Sequence, residues 1–142
     1  MHKEILNKKM EEIGIQLSDM QTEQFLTYYD MLIERNKVMN LTAITEYDDV
    51  VEKHFVDSVS LIKALDEEKV KNVIDIGTGA GFPGIPLKIV FPHLKVTLLD
   101  SLNKRIKFLN DVIGALELEN IETIHGRAED FAKQEIYREQ YD

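Results

Sequence analysis

Through residues 1–70 the apolar positions recur at helical spacing. Ile5, Leu6, Met10 and Ile13 make a first stripe, and Gly14 follows as a residue able to take the left-handed backbone that ends a helix. Ser18 and Gln21 stand at the spacing of a capping box, and Phe25, Tyr28, Tyr29, Leu32 and Ile33 then run an apolar stripe toward Asn36. Thr45 is placed to cap a third helix, on which Val51, Phe55, Val59, Ile62 and Leu65 share one face ahead of the charged stretch Asp66–Lys71. The pattern predicts three amphipathic helices, with Phe25–Tyr29 as core rather than a platform for stacking bases.

Beyond residue 71 the period changes. Val73–Gly77 is a short β-branched run entering a glycine-rich turn, which suits a strand buried on both faces. A helix over Gly84–Val90 follows and stops near Phe91-Pro92, since proline steers the preceding residue away from helical angles. Val96–Asp100 reads as a second buried strand. Ser101 can cap the next helix, with Leu102, Ile106, Leu109, Val112, Ile113 and Leu116 as its stripe, and Ile121–His125 reads as a third strand. Strand, glycine turn, helix, strand, helix, strand is the first half of a doubly wound α/β parallel sheet. After Arg127–Glu135 the sequence reaches Asp142 without another strand, so the reading is a helical region over 1–70, a partial sheet domain over 71–142, and a protein truncated at its carboxyl end.

Composition narrows the picture. In 142 residues, 44% are hydrophobic with only 7 Gly and 3 Pro, enough core formers for a folded domain and too little Gly and Pro for a low-complexity chain. Cysteine is absent, which removes disulfides, thiolate nucleophiles and sulfur-ligated zinc, and fits a cytoplasmic setting. There is no signal-like amino terminus and no apolar run long enough to span a membrane. With 17 basic and 26 acidic residues the net charge is −9, which argues against non-specific affinity for nucleic acid, DNA included, or for an anionic membrane, and confines any polyanion contact to a local patch. His2, His54, His93 and His125 are scattered without metal-ligand spacing. His54 and Asp57 share a helix face, and a pair fixing that helix to the sheet region is the plainer reading than a substrate contact. Lys104, Arg105 and Lys107 read as a solvated helix face.

The candidate chemistry lies in Asp75–Gly84, DIGTGAGFPG. From Gly79 the run matches the dinucleotide fingerprint G-x-G-x-x-G, with Asp100 about 20 residues on as a ribose-binding acid. From Asp75 it is D-x-G-x-G-x-G, which resembles the first motif of class I S-adenosylmethionine methyltransferases. Pro83 and Pro86 delete two N–H donors that a pyrophosphate cradle would use. A sulfonium donor carries no phosphate, and glycine backbone, the Asp75 carboxylate and the apolar Phe82 suit it better. Asp100 at a strand end can accept both ribose hydroxyls, and Ala128 and Glu129, in the loop after the third strand, can face an adenine edge.

Asn40-Leu41-Thr42-Ala43-Ile44, His54, Asp57-Ser58, DIGTGAGFPGIPL over Asp75–Leu87, and Leu99-Asp100-Ser101 with Lys104-Arg105 and Phe108-Leu109 together resemble the RsmG family, also called glucose-inhibited division protein B. The resemblance implies a Rossmann-like class I methyltransferase fold and methyl transfer from S-adenosylmethionine to N7 of a guanine in 16S ribosomal RNA of the small subunit. Carried over by position, it implies donor contacts at Gly77, Phe82, Ala128 and Glu129, with Asp100 matching the ribose-binding acid. A methyltransferase of the same fold acting on a small molecule or protein, or a non-catalytic nucleoside-binding fragment, are the alternatives. Guanine N7 presents a lone pair, so transfer needs alignment rather than a general base, and no catalytic residue is nominated.

Overall fold

The computed structural model describes residues 2–64 and 69–127. Helices α1 (His2–Glu12), α2 (Asp19–Met39), α3 (Tyr47–Val50) and α4 (Asp57–Ala64) precede β1 (Asn72–Ile76), α5 (Gly84–Val90), β2 (Lys95–Asp100), α6 (Asn103–Leu116) and β3 (Ile121–His125). Between α3 and α4 the backbone widens into a π-helical stretch over Val51–Val56, so the expected third helix is continuous but not of uniform pitch. The three strands are parallel in the order β1-β2-β3, with Asp75 beside Leu98 and Asp100 beside His125. This is half of a doubly wound, Rossmann-like parallel sheet preceded by helices.

Local chemistry explains most of the element ends. Ser18 Oγ accepts from the Gln21 amide at 3.1 Å while Gln21 Oε1 accepts from the Ser18 amide at 2.8 Å, the capping box expected at the start of α2. The second helix runs past Asn36 to Met39, because Asn40 takes a left-handed conformation, φ 44°, and closes it. Two caps differ from expectation. Helix α3 starts at Tyr47 without a side-chain cap, and Thr45 instead offers its carbonyl to the Tyr29 hydroxyl at 2.8 Å. Ser101 does not cap α6; the Asp100 carboxylate accepts the Leu102 amide at 2.9 Å and Leu102, expected on the buried stripe, is half exposed. Leu65 lies outside the described residues.

One hydrophobic core joins the helices to the sheet, with Phe25, Tyr28, Phe55, Ile85, Leu98 and Phe108 all fully buried. Burying each of the large side chains stabilises by about 2 kcal/mol, whereas a surface pair such as Arg35–Asp111 contributes about 0.5 kcal/mol, so packing positions α2 against α5 and α6. Two glutamines of α2 refine the fit. Gln21 Nε2 donates to the Ile89 carbonyl at 2.9 Å and Gln24 Nε2 to the Leu116 carbonyl at 2.9 Å, satisfying groups at the carboxyl ends of α5 and α6. Lys88 is buried in α5, and its ammonium donates to the carbonyls of Pro92, at 2.8 Å, and Leu94, bracing the connection into β2. No described helix is long and apolar enough to cross a membrane.

Candidate functional site

At the carboxyl ends of β1 and β2 the glycine turn is bound to the sheet from below. The amides of Gly77 and Thr78 both donate to the Leu99 carbonyl, at 2.8 and 3.1 Å, and the Gly79 amide donates to Asp100 Oδ2 at 2.9 Å. Gly81 and Phe82 donate to the Thr78 carbonyl, and Ile85 to that of Gly81. The turn spends these amides on the protein itself and has few left for a pyrophosphate.

Asp75 sits beneath the turn and is 7% exposed. Its Oδ2 accepts from Thr78 Oγ1 at 2.6 Å and from the Gly84 amide at 3.0 Å. Burial pushes its pKa up to about 6; the Thr78 and Gly84 hydrogen bonds oppose that rise and the Asp100 charge adds to it. A Cβ at Gly84 would lie 2.3 Å from Leu98 Cδ2 and 3.1 Å from Asp75 Oδ2, so close helix–strand packing accounts for this glycine. Gly77 and Gly79 differ: a Cβ at either would meet no atom within 4 Å, so their backbone faces open space where a ligand can approach.

Asp100 closes the other side. Its Oδ1 accepts from Leu102, with Arg105 Nη1 at 3.6 Å, while the Gly126 amide donates to its main-chain carbonyl at 3.0 Å. Phe82 packs on the helical side of the turn, its ring 4.2 Å from that of His54 and within 9° of parallel. His54 Nε2 is 3.0 Å from Thr42 Oγ1, which also accepts the Ile44 amide. Burial draws the His54 pKa down, opposed by Asp57. His54 thus fixes its helix to the sheet region through its ring, with Asp57 acting only as a neighbouring charge. The structure brings Asp75, Gly77, Gly79, Phe82 and Asp100 together around one turn; Ala128 and Glu129 lie outside the described residues.

A family model described as rRNA small subunit methyltransferase G matches residues 21–142. The chain belongs to this family. Within it, the chain is 54% identical over 140 residues to ribosomal RNA small subunit methyltransferase G of Alkaliphilus metalliredigens, covering 99% of this chain and 59% of that protein. It is 53% identical over 137 residues to the protein of that name from Staphylococcus saprophyticus, covering 96% and 57%. The Lachnoclostridium phytofermentans relative is 57% identical over 133 residues, covering 94% and 55%. The chain therefore spans somewhat more than half the length of the methyltransferase G relatives it matches.

Sequence reasoning passed over three groups that complete the site. Thr78 supplies a hydroxyl to Asp75, the Leu102 amide holds Asp100, and the Tyr28 hydroxyl reaches the Ala80 carbonyl. Only the last had a signal, since a tyrosine on a buried helix stripe needs a partner for its hydroxyl.

Proposed function

We propose that this chain carries the donor-binding half of an S-adenosylmethionine-dependent methyltransferase that modifies N7 of a guanine in 16S ribosomal RNA of the small subunit, in the cytoplasm. The observation that carries the reading is the turn whose amides are spent internally, whose Gly77 and Gly79 backbone stands open, and which is tied to a carboxylate at the end of β2. The relatives named ribosomal RNA small subunit methyltransferase G support the acceptor.

In this reading the Gly77 and Gly79 backbone and Phe82 border the donor, and Asp100, 2% exposed with its two oxygens already accepting the Gly79 and Leu102 amides, has its remaining lone pairs for the ribose hydroxyls. Asp75 serves the donor from beneath, by holding Thr78 and Gly84 and so the shape of the turn. Ala128 and Glu129, which follow β3 in the sequence, are added to the donor contacts by the family resemblance. The donor, when bound, supplies a methyl group on a sulfonium. Guanine N7 attacks with its own lone pair, so the protein's tasks are alignment and exclusion of water. With a net charge of −9, RNA contact is confined to local basic surface.

Calorimetric titration with S-adenosylmethionine and with NAD, on the chain and on Asp100→Ala, tests the proposal. Donor binding that is lost in the variant, with no heat from NAD, is the expected result. NAD binding in place of the methyl donor would overturn it. Transfer of labelled methyl to unmodified small subunits by the family-length protein tests the acceptor.

A further inference from the structure

Tyr28 lies in α2, 52 residues before Ala80, and is fully buried. Its hydroxyl donates to the Ala80 carbonyl at 2.6 Å. The same oxygen stands 2.7 Å from where a Cβ on Gly81 would be, so the helix and the turn approach as closely as a glycine permits. Its ring lies 5.6 Å from Phe82 and 5.6 Å from Phe55, which places it at the junction of helices and turn.

A trans peptide is planar, with its carbonyl and the following N–H pointing in opposite directions. The Tyr28 hydroxyl holds the Ala80–Gly81 peptide by the carbonyl, and the Thr78 carbonyl holds it by the Gly81 amide at 3.0 Å. Two residues earlier the Gly79 amide is tied to Asp100. The plane fixed by Tyr28 thus adjoins the segment whose backbone stands open. Burial, reinforced by the Asp75 charge, raises the phenol pKa well above its ordinary value, so the hydroxyl stays a donor at any working pH.

We propose that Tyr28 is a positioning residue for the ligand-binding turn, its hydroxyl setting the Ala80–Gly81 peptide and through it the backbone that Gly77 and Gly79 present. The consequence for donor affinity rests on the functional reading above; the consequence for the turn does not. Tyr28→Phe removes one oxygen and keeps the ring. Phe25→Leu trims another fully buried aromatic of α2, one packed 4.8 Å from Phe55, and serves as the packing control.

Two measurements on the full chain decide the matter: hydrogen exchange at the Gly79 and Gly81 amides, and the S-adenosylmethionine Kd by calorimetry. Tyr28→Phe is expected to speed exchange at both amides roughly tenfold, the loss expected for one hydrogen bond and an unsatisfied carbonyl, and to weaken donor binding. Phe25→Leu is expected to lower Tm at least as far while leaving both readouts alone. Wild-type exchange and Kd in Tyr28→Phe would overturn the proposal, as would equal changes in Phe25→Leu. Faster exchange in Tyr28→Phe, in a chain that binds no donor even unsubstituted, would uphold the role of Tyr28 in the turn and move the test of donor affinity to the family-length protein.

Discussion

Asp75→Asn is a perturbation whose effect depends on pH in a way the structure prescribes. The wild-type carboxyl has its pKa raised from 3.8 to about 6, chiefly by burial. In the folded state it therefore keeps a proton that the unfolded chain has already released, and stability falls as pH rises from about 4 to about 6. At 1.36 kcal/mol per pH unit the full rise corresponds to ~3 kcal/mol of stability absent at pH 8 and present at pH 3.5. Asparagine does not ionise, and its amide oxygen is able to accept from Thr78 Oγ1 and the Gly84 amide as Oδ2 does. Urea unfolding of both proteins at half-unit steps from pH 4 to 8 isolates this group, because the other carboxylates cancel in the difference. The variant is expected to be near wild type at pH 4 and to gain progressively up to pH 6.5, by ~1–3 kcal/mol, with no further change above that. A difference that is flat across the range, or that grows toward acid, would refute the argument that Asp75 is a buried, desolvated carboxyl.

Gly84→Ala is expected to cost ~1–3 kcal/mol in urea unfolding, because its Cβ would stand 2.3 Å from Leu98 Cδ2 in a packed strand; the ~1 kcal/mol that alanine gains in a helix does not offset this. An unchanged or higher midpoint would mean that α5 moves freely over β2. His54 is expected to titrate below 6.5 by NMR, and its contribution to stability to be lost as pH falls through that value, since the unfolded imidazole takes a proton that the folded one resists. His54→Phe keeps a flat ring against Phe82 and is expected to remove that acid-side loss; a titration above 6.5 would contradict the burial of His54.

Element types were legible because period is a strong signal: β3 occupies the predicted Ile121–His125, and α5 the predicted Gly84–Val90. Caps were less so. Ser101 was the natural choice by residue type, yet Asp100 already takes the Leu102 amide, and a sequence does not tell which of two adjacent acceptors a backbone amide meets. Asp75 carried the expectation of a donor-facing charge. Strand alternation instead buries it, leaving Ile76 half exposed, and the missing side chain of Gly84 makes the room. Tyr28 was readable as core from its stripe, but its hydroxyl meets a partner 52 residues away, and periodicity carries no information about contacts at that range.

The buried ammonium of Lys88 gives the molecule an internal reporter. Held by the carbonyls of Pro92 and Leu94, and with its pKa lowered by burial, it lies beyond the reach of amine-reactive reagents while the connection into β2 is closed. Once that connection opens, the amine regains solvent and its ordinary basicity, and reacts as an exposed lysine does. Acylation of Lys88, followed by peptide mass against an exposed lysine such as Lys104, therefore times the local opening of the connection between α5 and β2, without any introduced label.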